Sequence, residues 1–170
     1  MLPKSYIIAK WTVYGLATLG LAALQHLLLD HISIFGVTPF LYPILPALAA
    51  SYEGLERGSR FSLVVGILCD LIVTGPFDGF YTITFTLIGL LSAGIGENLL
   101  SPGWLCGFTV SGLAMILVNA ARLLVYFLSG DLHPLLMGRI ALVEILITLP
   151  MLLPTLPIYR AIHNRCAVDY

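Results

Sequence analysis

The sequence predicts an all-α, polytopic membrane protein folded as a bundle of six transmembrane helices. Three observations carry that expectation. Of 170 residues, 59% are hydrophobic and only 10% are charged, whereas an ordinary soluble domain carries about 25% charged residues. The mean hydropathy of +0.99 means more apolar surface than a chain of this size can hide from water, so its outer face needs lipid as solvent. The apolar residues also fall in long blocks, near the roughly 20 residues that cross a bilayer as helix, separated by clusters of Gly, Pro and charge. A net charge of −1 leaves no basic surface to neutralise phosphates, so nucleic acid is not an expected partner and lipid is. Cys69, Cys106 and Cys166 lie far apart without a C-x-x-C pair and read as buried thiols plus one tail thiol.

The first span is expected at about 11–29, after Lys4 and Lys10. It is longer than the apolar core of a signal peptide, and further spans follow, so it reads as a retained helix. The second, at about 37–52, contains Pro39, Pro43 and Pro46; each removes a backbone donor, so this span is kinked or broken. The third, fourth and fifth fall at about 61–74, 81–95 and 104–128. The sixth, at about 135–159, has Pro150, Pro154 and Pro157 and is expected to bend or loosen near its end. The intervening segments, 30–36, 53–60, 75–79, 96–103 and 129–134, each contain glycine, proline or charge, as turns between helices do. Six spans fill residues 1–170 as a single membrane domain and leave about 50 residues for loops and tails.

Charge sets the orientation. With an even number of spans both termini share a side, where Lys4, Lys10, Arg160 and Arg165 gather with Arg57 and Arg60 of the second loop. The three opposite loops contain no Lys or Arg. Because cytoplasmic loops concentrate Lys and Arg, both termini are expected inside.

Small residues recur four apart on the fourth and fifth spans: Gly89 with Ala93, Ser92 with Gly96, and Gly103, Gly107 and Ser111 in a row. Such faces let helix backbones approach closely, either within the monomer or against a partner.

Four charges fall inside the spans: Asp70, Arg122, Arg139 and Glu144. Counted from the outer span ends they lie about 6, 9, 6 and 14 Å deep, at heights that Gln25 and Asn119 share. Intramembrane charges usually face inward or pair. These six residues are therefore expected to form an outer polar cluster, either a self-compensated ion-pair network or a pocket open to the outside. No H-E-x-x-H is present, so no metal or other cofactor is expected. Ser111 has no well-placed histidine partner, and Asp70 and Glu144, which could meet as a carboxylate pair, have arginines close enough to pair with instead. The chain is not expected to be an enzyme.

The stretch from Arg60 to Phe80, with Gly66, Asp70, Leu71, Gly75 and Gly79 in place, resembles the MreD family of rod shape-determining membrane proteins. The length, the six-span layout, the second span opening at Pro39 and the short basic tail are similar as well. The motif covers about twenty residues, while the layout covers the chain. This resemblance implies a component of the machinery that elongates the bacterial side wall. It implies association with an MreC-like bitopic protein and, indirectly, with an MreB-like filament and a RodA-type polymerase with its transpeptidase. It also implies location in the bacterial cytoplasmic membrane and a fold similar to the substrate-binding subunits of energy-coupling-factor vitamin transporters. The family has no catalytic residues to carry over. The alternative is such a transporter subunit itself. Those subunits commonly dock their coupling protein through Ala-x-x-x-Ala on the first span, and no two alanines here stand four apart; an aromatic-lined pocket in the outer half would count for it.

Overall fold

The apolar blocks fold as helices because nothing else satisfies backbone hydrogen bonds away from water. The structure, a computed structural model, describes residues 4–101, 103–130 and 134–165, and their side chains except 4–8, 134–136 and 165. The helices are α1 (Lys4–Leu27), α2 (Ile44–Ile72), α3 (Phe80–Asn98), α4 (Trp104–Ser129), α5 (Pro134–Thr148) and α6 (Leu152–Arg165), with short 3-10 turns at Leu29–His31 and Leu149–Met151. Among the described residues there is no strand, only a bridge between Ile34 and Val37. Four stretches, Ala9–His31, Phe80–Asn98, Trp104–Ser129 and Met137–Asn164, are long and apolar enough to cross a membrane. That is the pattern of a multi-pass membrane protein.

The expected second and third spans do not appear as two separate full-length helices. Both lie on α2, which reverses at Gly54 (φ 78°, ψ −179°), a backbone conformation essentially reserved for glycine. Ser62 Oγ donates to the carbonyl of Pro46 at 3.4 Å; along a straight helix those residues would stand about 24 Å apart. The arms 44–53 and 55–72 are thus antiparallel, in contact where Gly58 meets Ala50. The second span is also corrected at its start. Residues 37–43 are non-helical, and the helix begins only after Pro43, at its N-cap. With Pro39 and Pro43 this close together the segment lacks the donors a helix needs, so it is broken rather than kinked. The sixth span behaves differently: Pro150 falls in the 3-10 turn and the chain continues directly into α6, which holds Pro157.

The short first arm is the core. Residues 41–52 are buried without exception, as expected of a helix apolar on every side. The outside is apolar too: Leu71, Leu105, Leu128 and Leu146 are 70–79% exposed, a surface suited to lipid and unsuited to water. The start of α1 and the end of α6 meet at one end, where Tyr14 and Tyr159 pack with ring centroids 5.8 Å apart and the Thr18 and Tyr159 hydroxyls bond at 2.9 Å. We call this the terminal end and its opposite the distal end.

Candidate functional site

At the distal end the proline-rich segment must satisfy its backbone without a helix. Gln25 of α1 does much of this. Its Nε2 donates to the Pro39 carbonyl at 2.7 Å and to Asp30 Oδ1 at 2.8 Å, while its Oε1 accepts the Leu41 N–H at 3.0 Å. The Phe40 N–H donates to Thr148 Oγ1 at 3.1 Å. The segment is thereby fixed between α1 and α5, with the Phe40 ring under the Arg122 guanidinium at 4.4 Å.

Arg122, on α4, is the hub. Its Nη2 donates to the Tyr81 hydroxyl at 2.8 Å, and its Nη1 reaches both oxygens of Glu144 on α5 at 3.3 Å. The pair is shielded, with the Glu144 side chain 7% exposed, so each charge depends on the other. Beside it opens a cavity of about 590 Å³ whose wall includes His26, Tyr42, Asn119 and Tyr126, within the size range of small-molecule sites. His26 Nδ1 bonds Asp30 Oδ2 at 2.6 Å. Two polar atoms at this wall, His26 Nε2 and the Tyr42 hydroxyl, are buried without a hydrogen-bond partner.

Of the expected cluster, the structure brings together Gln25, Asn119, Arg122 and Glu144 on the cavity wall. Asp70 and Arg139 are not among them. Asp70 accepts the backbone N–H groups of Tyr81 and Thr82 at 2.9 and 2.8 Å, and also the Thr82 hydroxyl. The N-cap of α3, Gly79, has no side chain to offer, so a carboxylate from α2 satisfies the first-turn donors and the positive helix end. An acid with that role has no need of an arginine. Arg139 is exposed. Met137, Ile140, Ala141 and Glu144 form the face of α5 that lines the cavity, and position 139 lies off that helical stripe.

The small-residue positions are mostly consumed inside the monomer. Gly89 lies against Ser62, Gly96 against the Ser51 backbone, and Gly107 against Leu156 and Leu48; Ser92, Ala93 and Ser111 are buried. Gly103 stands apart as the N-cap of α4. Among the motif positions, Gly66 touches the backbone of Tyr81 and Thr82, Gly75 packs near Phe80 and Tyr81, and Leu71 is exposed. The Pro39 carbonyl is the acceptor for Gln25.

A second polar network, at the terminal end, escaped sequence reasoning. Glu53, beside the reversal at Gly54, pairs with Lys10 Nζ at 2.7 Å, accepts the Tyr14 hydroxyl at 2.9 Å and lies 3.3 Å from His163 Nδ1. Its side chain is 2% exposed. Burial pushes its carboxyl pKa up, but hydrogen bonds from His163, Lys10 and Tyr14 and the Lys10 charge outweigh that and hold it below the ordinary value. The available signal was the spacing of Lys10 and Tyr14, one helical turn apart. Phe40, Tyr42, Tyr81 and Tyr126 of the distal wall were also missed, since aromatic residues in an apolar sequence carry no such signal.

Among the described residues no three His, Cys, Asp or Glu side chains gather as metal ligands would. No protein-family model, curated protein or solved structure matches this chain.

Proposed function

We propose that the chain is a non-enzymatic scaffold of the bacterial cell-wall elongation machinery, similar to MreD and seated in the cytoplasmic membrane. The observation that carries this reading is that the motif on which the resemblance rests has one physical purpose. Gly66 lets the second arm of α2 touch the start of α3, Asp70 caps that start from across the gap, and Gly79 turns the chain between them with φ 85°. Spacing that builds a rigid two-helix unit suits a protein whose task is to hold others in place.

The topology of this reading has six passes, with both termini inside. Residues 38–41 span at most about 3.3 Å each before the turn at Tyr42 and Pro43, and the arm 44–53 rises about 15 Å. Together they reach about 28 Å, close to the roughly 30 Å hydrocarbon thickness, so the segment can serve as the second pass despite its short helix. The basic residues then collect on the cytoplasmic side and the cavity opens to the outside. The small-residue faces are occupied internally, so an MreC-like bitopic partner must be met through the exposed apolar flanks, with the MreB-like filament and the RodA-type polymerase and its transpeptidase linked through it. Tagged purification from the native membrane in mild detergent, read by mass spectrometry, is expected to recover the MreC-like protein and wall-elongation enzymes. Their absence from a folded, fully extracted preparation would refute the scaffold.

One observation favours a second reading, a substrate-binding subunit of an energy-coupling-factor vitamin transporter: the distal cavity is walled by Phe40, Tyr42, Tyr81 and Tyr126. The same purification separates the two, because this alternative requires a membrane coupling protein with paired ATPases.

A further inference from the structure

We propose that the distal cavity binds a small, uncharged, planar molecule that offers both a hydrogen-bond donor and an acceptor. This rests on the cavity alone and holds whichever partners the chain has.

The first argument is charge. The charged groups on the wall already have their hydrogen-bond partners there: Arg122 faces Glu144, and the two Asp30 oxygens are taken up by Gln25 Nε2 and His26 Nδ1. An anion would compete with Glu144 for Arg122, and a cation would have to draw Glu144 or Asp30 away from existing partners. Either exchange costs about what it returns. The groups left without partners are neutral ones, the Tyr42 hydroxyl and His26 Nε2. Tyr42 is 3% exposed, so its hydroxyl finds no bulk water, and an unmatched buried hydroxyl is costly to keep.

The second argument is complementarity. In the tautomer that donates Nδ1–H to Asp30 and carries no second proton, His26 Nε2 is an acceptor. The Tyr42 hydroxyl is free to donate. Their ring centroids lie 6.0 Å apart, so both groups belong to one corner of the wall, and an amide or similar group seated there would give an N–H to His26 and take the tyrosine proton. The third argument is shape. Phe40 stands 5.6 Å from Tyr42 and 5.7 Å from Tyr81 between ring centroids, and a run of aromatic rings prefers a flat partner that can stack or meet them edge-on.

The test uses the full chain in lipid nanodiscs and three probes of one shape and different charge: benzamide, benzoate and benzamidine. Affinity is read by saturation-transfer NMR. Benzamide is expected to bind about tenfold more tightly than either charged analogue, and Tyr42→Phe to weaken it about tenfold, the worth of one good hydrogen bond. The same substitution is expected to leave the melting temperature of the unliganded protein unchanged or raised, because that hydroxyl has no partner to lose. Ala141→Phe, which fills the cavity from α5, is the independent control and is expected to abolish binding. Equal binding of all three probes, binding by none, or benzamide affinity indifferent to both substitutions would overturn the proposal. Co-purification of wall-elongation proteins bears on none of these outcomes, so the two readings fail separately.

Discussion

The two ends of the bundle are built from nearly the same side chains and use them in opposite ways. At the terminal end a carboxylate (Glu53) meets a cation (Lys10), a tyrosine (Tyr14) and a histidine (His163). At the distal end Glu144 meets Arg122, which also holds Tyr81, with His26 on the same wall. The first set closes tightly, at 2.7–2.9 Å for its two shortest bonds, around one carboxylate. The second holds its ion pair at 3.3 Å beside a cavity of about 590 Å³. The inventory of a polar cluster therefore does not decide whether it locks or opens. The backbone does. A glycine reversal brings two helical arms together at one end, whereas a proline-broken segment withholds a turn of helix at the other and leaves space.

If the terminal network is the lock, breaking it has the largest effect. Glu53→Ala leaves the part-buried Lys10 without its counter-charge and is expected to cost about 3 kcal/mol, seen as a large fall in melting temperature in detergent. Acid should do part of the same work. The Glu53 carboxyl is held below its ordinary value near 4.5. Its stabilisation is then fully present above that pH and is lost as pH falls through the lower, folded-state value. Melting temperature is expected to drop across that acid window in the wild type and to drop less in Glu53→Gln. Identical acid sensitivity in both proteins would remove Glu53 from the lock.

Asp70 tests whether the cap between α2 and α3 belongs with the tight end or the open one. Asp70→Ala removes charge-assisted bonds to two backbone donors and the favourable charge at a helix start. It is expected to cost about 3 kcal/mol. Asp70→Asn keeps one acceptor oxygen and is expected to lose roughly half as much. Equal losses for the two substitutions would show that charge, rather than donor satisfaction, dominates.

The positions of these residues trace how much could be read in advance. The apolar blocks, the glycine and proline breaks and the presence of charges inside the spans follow from local composition and helical spacing, which sequence displays directly; that Arg122 is the arginine that takes Glu144 does not. The sequence around Gly54 reads only as a loop, because nothing local says that the helix resumes at once and folds back on Ala50. Only depth places Asp70 and Arg139 with the cluster. Depth fixes a residue's height in the bundle, whereas its azimuth depends on how each helix is rotated, and that is decided by packing. The cavity was the least legible feature, since a void is defined by which side chains fail to meet.

The smallest expected effect sharpens the comparison most. Arg122 and Arg139 lie on neighbouring helices at similar depth, and composition treats them alike. Arg122→Gln leaves Glu144 without its counter-charge and Tyr81 without its donor, and should cost about 2 kcal/mol, less than a fully buried break because the Arg122 side chain is itself 21% exposed. Arg139 is exposed and off the cavity-lining stripe of α5, so Arg139→Gln should stay within about 0.5 kcal/mol of the wild type. Paired melting curves in one detergent decide the matter. If the Arg139 substitution proved as damaging as the Arg122 one, the distal charges would form a single cooperative network, and the contrast between a locked end and an open end would no longer describe this molecule.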